Sequence, residues 1–188
     1  MVFRQVRDSV RNQAISHRGY KAASPENTMA AFRGAADVGA DAIETDLCIC
    51  RKTASSCCRM TLRTLREPKG PIPRLVDLLA YLNEPGREHL WLFLDIKTDD
   101  DSTRMLSCLA AAIASISPTR PWNQRIILGS WDANWLRACL RFLPEFPVAI
   151  TAFSPEFAAA RLSVPQSELQ PVQHLLLHAK RVAVPHAG

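Results

Sequence analysis

The amino-acid sequence predicts an α/β fold in which short buried strands alternate with amphipathic helices. The run LWLFLDI at residues 90–96 is almost continuously apolar, which is typical of a strand covered on both faces of a parallel sheet. Four leucines recur at positions i, i+3, i+4 and i+7 from Leu75, so an amphipathic helix is predicted over residues 74–83. Repeated strand–helix units leave two architectures open, a doubly wound sheet and a (β/α) barrel.

The same alternation accounts for the chain between residues 12 and 162. Strands are predicted at residues 12–16, 41–49, 90–96, 126–128 and 148–153, and helices at residues 24–38, 74–83, 101–116, 133–143 and 155–162. Ser24 is expected to cap the first helix, because a proline and an acid follow it in the first turn. Gly39 is expected to end that helix.

Charge and hydropathy exclude several classes of protein. The formal net charge is +5, but the basic residues are scattered, so we expect mild attraction for anionic ligands and no nucleic-acid partner. No stretch approaches the roughly 20 apolar residues of a membrane span, so no integral membrane segment is predicted. The first residues lack the apolar core of a secretion signal, which favours a cytoplasmic location.

Four of the six cysteines lie close together in the sequence, at Cys48, Cys50, Cys57 and Cys58. A zinc site would need paired thiolates separated by two to four residues. Cys-x-Cys and an adjacent Cys-Cys fit that spacing poorly. Incidental reduced thiols are the favoured interpretation, and a zinc site is the alternative.

Charged and titratable side chains lie at the ends of three predicted strands. They are His17 and Arg18 after the first strand, Glu44 and Asp46 in the second, and Asp95 and Lys97 at the end of the third. In a parallel barrel the carboxyl ends of the strands meet at one mouth, where active sites form. Glu44 and Asp46 are two residues apart, so both point to the same side of their strand.

These residue types together favour hydrolysis of a phosphate ester. Close carboxylates repel each other unless a cation lies between them, and oxygen-only ligands suit Mg²⁺ or Ca²⁺. An arginine and a lysine beside that ion could hold an oxyanion, and a histidine could move a proton. The alternative is a set of charged residues at the barrel rim that have no catalytic role.

The order and spacing of several short motifs resemble the opening of the glycerophosphodiester phosphodiesterase family. The motifs are His17-Arg18-Gly19, Pro25-Glu26-Asn27-Thr28, Ala31-Phe32, Gly39-Ala40-Asp41 and Glu44-x-Asp46. The stretch from Leu94 to Lys97 is similar to the family's later Glu-x-Lys strand, with Asp95 in place of the glutamate. Residues 128–131 and 146–154 resemble later strands of fungal-type members.

This resemblance implies a TIM barrel that hydrolyses glycerophosphodiesters to glycerol 3-phosphate and an alcohol, in lipid metabolism, with Mg²⁺ or Ca²⁺. By position it implies His17 as a catalytic histidine, Arg18 and Lys97 as ligands of the substrate phosphate, and Glu44, Asp46 and Asp95 as metal ligands. Asp95 is one methylene shorter than the family's glutamate, so we expect weak metal binding. Asn27, in the Pro-Glu-Asn-Thr motif, is interpreted as part of a helix cap.

The chain departs from the family pattern after Asp46. The family continues with a turn such as Lys-Asp-Gly, a strand and a His-Asp pair, whereas this chain reads CICRKTASSCCRMTLRTL. His89 precedes the third strand and is expected at the opposite end of the barrel, and His174, His178 and His186 are interpreted as incidental. We therefore expect impaired activity. A catalytically inactive phosphate-binding or regulatory remnant is the alternative, and a barrel-type phospholipase D is a weaker one.

The predicted organisation is a partial barrel domain at residues 1–163, with about five of the eight strands of a TIM barrel, and a divergent tail at residues 164–188. The tail shows no strand–helix pattern. Our hypothesis is that residues 48–60 and 164–188 are translated intron or frame-shifted sequence in a truncated, altered member of the family.

Overall fold

The computed structural model describes residues 13–49, 56–58, 73–98 and 101–152. Its strands are β1 Ile15–His17, β2 Ala42–Ile49, β3 Ser56–Cys58, β4 Trp91–Ile96, β5 Ile126–Ser130 and β6 Val148–Ile150. Its helices are α1 Met29–Asp37, α2 Leu75–Leu82, α3 Ser102–Ala114 and α4 Ala133–Phe142, with a 3₁₀ turn at Trp122–Gln124. The alternation predicted from the sequence is therefore confirmed over these residues.

The strands form one sheet in the order β1-β2-β4-β5-β6, and every neighbouring pair on this path is parallel. This arrangement confirms the α/β class and the parallel sheet. The described residues supply five parallel strands, where a closed TIM barrel has eight. None of the helices in this part of the chain has the length and apolarity needed to cross a bilayer.

The two faces of the sheet carry different side chains. Ile43 and Leu47 of β2 are fully buried in the large apolar core that the strands share with the helices. Glu44 and Asp46 alternate with them and point to the opposite face, since successive side chains of a strand point to opposite sides. This alternation allows one strand to contribute both to the core and to the candidate site.

The first helix begins later than the sequence predicts. Thr28, and not Ser24, is its N-cap, since Thr28 Oγ1 accepts a hydrogen bond of 3.2 Å from the backbone N–H of Ala31. Asn27 has a φ of 56°, a left-handed conformation that a right-handed helix cannot include. The turn at Asn27 therefore excludes Ser24 from the helix.

The strand β3 was not predicted. It pairs antiparallel with the end of β2, with Leu47 opposite Cys58 and Ile49 opposite Ser56. The sequence Ser-Cys-Cys has no apolar alternation to indicate a strand, so its pairing depends on the exposed edge of β2. The predicted helix at residues 155–162 and the tail at residues 164–188 lie outside the described residues.

Arg125 closes the end of the sheet opposite the candidate site. Its side chain is almost fully buried and donates hydrogen bonds to the backbone carbonyls of Leu82, Arg87 and Leu90 at 2.8–3.0 Å. Burial lowers the pKa of Arg125, and Arg120 adds to that effect. Arg125 thereby connects the end of α2 to the loop that leads into β4.

Candidate active site

A tight turn at the end of β1 places the first two site residues. Arg18 has a φ of 60°, which is uncommon for a residue other than glycine. Its backbone N–H donates both to the carbonyl of Glu44, at 2.9 Å, and to Glu44 Oε2, at 3.1 Å. Gly19 follows with a φ of 82°, and a Cβ there would lie 2.7 Å from the backbone of Ala31. Only glycine lets α1 approach this turn so closely.

Three buried carboxylates face one another beside this turn. Glu44 and Asp46 share one face of β2, and Asp95 lies directly opposite Asp46 in the register of β4 with β2. One oxygen from each carboxylate can be chosen so that all three lie within 4.8 Å of one another. The strand register therefore brings Asp95 into the group despite its shorter side chain.

Burial and mutual repulsion raise the pKa values of Glu44 and Asp95. Burial raises the pKa of Glu44 to about 8, and the charges of Asp46 and Asp95 add to this effect. Burial also raises the pKa of Asp95, although Lys97 opposes it. A bound cation would lower the pKa of Glu44, because it would offset both the burial of this carboxyl group and the repulsion from Asp46 and Asp95.

Two cationic side chains contact Asp46 from opposite sides. Lys97 Nζ lies 2.6 Å from Asp46 Oδ1 and also contacts Asp95 Oδ2. Arg18 Nε lies 3.0 Å from Asp46 Oδ2, and Arg18 Nη1 lies 3.1 Å from Glu26 Oε1. Burial alone would lower the pKa of Lys97, but the two carboxylates outweigh that effect and raise it. Lys97 is therefore charged at neutral pH.

His17 lies at the edge of this group. Its Nε2 is 3.6 Å from Glu44 Oε2, well within the roughly 10 Å that two strand spacings allow. Its side chain is 56% exposed, so the imidazole can meet a ligand from solvent. Partial burial lowers the pKa of His17 below 6.5, and the charges of Arg18 and Lys21 lower it further. His17 is therefore predominantly neutral at pH 7.

Asn27 and Trp131 also contact the carboxylates, and neither was predicted as a site residue. Asn27 is fully buried and its Nδ2 donates to Asp46 Oδ2 at 3.1 Å. The indole N–H of Trp131, at the end of β5, donates to Asp95 Oδ2 at 3.2 Å. The position of Trp131 just after a strand was the available sequence signal, because such residues reach the same mouth. Asn27 gave no comparable signal.

The carboxylate group fits a divalent cation. Asp95 Oδ1 is buried and has no hydrogen-bond partner among the described residues. Three carboxylates offer the oxygen ligands that Mg²⁺ and Ca²⁺ require. An unpaired carboxylate oxygen in such a group is the donor that a cation would use.

The other histidine of the described residues lies away from this site. His89 is exposed and precedes β4, about 20 Å along the strand from Asp95. Its place at the amino end of the strand is the one expected from the sequence. His174, His178 and His186 lie outside the described residues.

Comparison with protein families finds a likeness over the segment that carries most of this site. The model of the glycerophosphoryl diester phosphodiesterase family matches residues 17–53, which include His17, Arg18, Glu44 and Asp46. Over these residues the chain is similar to that family. The match continues to residue 53, so the likeness to glycerophosphoryl diester phosphodiesterases extends into the segment interpreted above as divergent.

Solved structures agree with the fold. A candidate glycerophosphoryl diester phosphodiesterase from Silicibacter pomeroyi is 21% identical, with a TM-score of 0.64 over 82% of this chain and 70% of that one. The glycerophosphodiester phosphodiesterase from Agrobacterium tumefaciens is 22% identical, with a TM-score of 0.57 over 75% of this chain and 66% of that one.

A third structure contains a reaction product. It is a phosphodiesterase from Oleispira antarctica in complex with the product sn-glycerol-3-phosphate. This chain is 17% identical to it, with a TM-score of 0.61 over 79% of this chain and 70% of that one. At these identities the three structures show that the fold is shared.

Proposed function

We propose that this chain is a divalent-cation-dependent phosphoric diester hydrolase that cleaves glycerophosphodiesters to glycerol 3-phosphate and an alcohol in lipid metabolism. The observation that carries the proposal is the convergence of His17 with three buried carboxylates and two cations at one end of the sheet. The match of residues 17–53 to the phosphodiesterase family model and the product bound to the Oleispira antarctica protein support this substrate class.

Glu44, Asp46 and Asp95 would hold Mg²⁺ or Ca²⁺, which when bound polarises a phosphoryl oxygen as a Lewis acid. When ionised, these carboxylates and Glu26, the partner of Arg18, exceed Arg18 and Lys97 by two negative charges, so a divalent cation brings the group to neutrality. A neutral group no longer repels the singly charged phosphate diester.

Arg18 and Lys97 bind the phosphate in this proposal. In the structure Arg18 is held by Asp46 and Glu26, which fixes its guanidinium beside the carboxylate group. A guanidinium presents a planar pair of donors that matches two phosphate oxygens. Lys97 supplies a compact second charge from the opposite side of Asp46.

His17 moves one proton. Because its pKa is lowered, the imidazole is neutral at pH 7 and can accept a proton from the attacking oxygen. The departing alcohol also needs a proton, and the described residues place no second histidine at this end of the sheet. We therefore propose a weakly active enzyme. The second candidate, an inactive phosphate-binding remnant, follows from the same observation.

Release of sn-glycerol 3-phosphate from glycerophosphocholine tests the proposal, with the purified chain and Mg²⁺. We expect slow release that His17→Ala and Glu44→Gln each abolish. His89→Ala is the matched control, because this histidine is exposed at the other end of β4 and should not affect release. Release that persists unchanged in His17→Ala would contradict the assignment of the proton carrier. Phosphate binding without release would favour the remnant.

A further inference from the structure

Asn27 and Thr45 form a buried hydrogen-bonded pair beside the carboxylate group. Neither side chain has any exposed surface. Thr45 Oγ1 donates to Asn27 Oδ1 at 2.9 Å, and Asn27 Nδ2 donates to Asp46 Oδ2 at 3.1 Å. We propose that Asn27 and Thr45 are positioning residues that orient Asp46 for binding a divalent cation, an inference that rests on the proposed function.

The chemistry of the three groups sets the orientation of the amide. An ionised carboxylate can only accept hydrogen bonds, so the amide nitrogen of Asn27 must face Asp46. The hydroxyl of Thr45 can donate, so it pairs with the remaining amide oxygen. Thr45 thereby prevents the amide from rotating by half a turn and presenting its oxygen to the carboxylate.

The pair decides which oxygen of Asp46 faces the other carboxylates. Asp46 Oδ2 accepts a hydrogen bond of 3.1 Å from Asn27 Nδ2 and forms an ion pair with Arg18, whose Nε lies 3.0 Å away. Asp46 Oδ1 lies on the side of Lys97, which also contacts Asp95. This hydrogen bond and this ion pair on Oδ2 hold the plane of the carboxylate, so Oδ1 is the oxygen presented to a cation.

The backbone of Asn27 is arranged for this contact and not for capping the helix. Its φ of 56° is tolerated by asparagine better than by most residues, and its N–H donates to the carbonyl of Arg18 at 3.0 Å. Thr28 supplies the cap of α1. The amide of Asn27 is therefore directed at β2 while its neighbour begins the helix.

Binding of Mn²⁺ alone, followed by electron paramagnetic resonance of the free ion, tests the proposal without any turnover. Thr45→Val keeps the shape of the side chain and removes the hydroxyl that donates to Asn27 Oδ1. We expect Thr45→Val and Asn27→Gly each to raise the Kd about 10- to 100-fold, the usual cost of losing a partner behind a metal ligand. Thr45→Ser retains the hydroxyl and should restore affinity to within about 2-fold.

A double variant that combines Asn27→Gly with Thr45→Val tests whether the two residues affect Mn²⁺ affinity through one shared contact or independently. Asn27→Gly tolerates the positive φ, so it removes the amide without straining the turn. Because both residues act through one amide, we expect the double variant to bind Mn²⁺ about as weakly as Asn27→Gly alone. A further loss equal to that of Thr45→Val by itself would overturn the pairing.

Two other results would overturn the proposal. One leaves the metal-dependent function intact, and the other overturns that function as well. Unchanged Mn²⁺ affinity in Asn27→Gly and Thr45→Val, with a lowered Tm, would mean that the pair only stabilises the fold. The metal-dependent function would then stand. Absence of Mn²⁺ binding by the unsubstituted chain would overturn both the positioning role and the proposed function.

Discussion

Lys97 Nζ lies 2.6 Å from Asp46 Oδ1 and also contacts Asp95, so one ammonium group lies between two carboxylates that face each other across β2 and β4. This ammonium offsets part of the buried negative charge of Asp46 and Asp95. Because Lys97 lies between these two acids, a change in its charge should alter the stability of the fold as well as the charge of the site.

Removing that ammonium should destabilise the protein. We expect Lys97→Met to lower the free energy of unfolding by about 2–3 kcal/mol, because it removes the ammonium paired with Asp95 and leaves Asp46 with Arg18 alone. Urea unfolding measures this loss, and saturating Mg²⁺ should recover part of it. Arg74→Met is the control: it breaks an exposed ion pair with Asp77 and should lower the free energy of unfolding much less than Lys97→Met does.

The buried Glu44 should make the metal-free protein less stable at higher pH. Its pKa is raised from 4.5 to about 8, so the folded state holds a proton that the unfolded state has lost between those values. Stability is then greatest below pH 4.5 with respect to this group, and it falls on the order of a few kcal/mol by pH 8. Thermal unfolding in EDTA measures the fall.

Glu44→Gln provides the control for this pH dependence, since glutamine keeps the shape and cannot ionise. We expect its Tm to change much less between pH 5 and about 8 than that of the unsubstituted chain. Identical pH profiles for the two proteins would rule out Glu44 as the titrating group.

The second proton carrier can be supplied by substitution. In the family pattern a Lys-Asp-Gly turn, a strand and a His-Asp pair occupy the segment that here runs over residues 48–60. We expect a variant carrying that segment to release sn-glycerol 3-phosphate about 10²- to 10⁴-fold faster than the natural chain. Equal and robust release by both chains would mean that the leaving alcohol takes its proton elsewhere.

The indole N–H of Trp131 should strengthen metal binding through Asp95. Trp131→Phe removes a 3.2 Å hydrogen bond to Asp95 Oδ2 and keeps an aromatic ring. We expect the Kd for Mg²⁺, measured by calorimetry, to rise up to about 10-fold, since a hydrogen bond to a charged group contributes roughly 1.5 kcal/mol.

Trp122→Phe is the matched control for this effect. Trp122 donates a 2.9 Å hydrogen bond to the carbonyl of Ile116, on the helix side of the sheet. Its loss should lower the Tm and leave the Kd for Mg²⁺ unchanged. If both tryptophan variants weakened Mg²⁺ binding equally, the effect would come from general loss of stability.

The six site residues could be predicted from the sequence because their positions depend on local periodicity. Glu44 and Asp46 share a face because side chains alternate along any strand. Asp95 and Lys97 end an apolar run, and parallel strands bring their carboxyl ends to one edge. These rules do not require knowing which residues far apart in the sequence are in contact. The pattern alone therefore placed these residues at one end of the sheet.

Only the tertiary structure decided the roles of Thr28, Asn27 and β3. Local capping rules suit both Ser24 and Thr28, and the left-handed turn at Asn27 that separates them depends on contacts with Arg18 and Asp46. The pairing of β3 with β2 likewise depends on an available strand edge.

The electrostatics of the site also needed the tertiary structure. The sequence determined that Glu44 is a carboxylate close to Asp46, but its pKa is raised to about 8 chiefly by burial. Burial depends on every element packed around a side chain, because desolvation is the sum of contributions from many distant atoms. Periodicity along one strand therefore determines which acids meet, and the packing of the whole sheet determines which of them holds a proton.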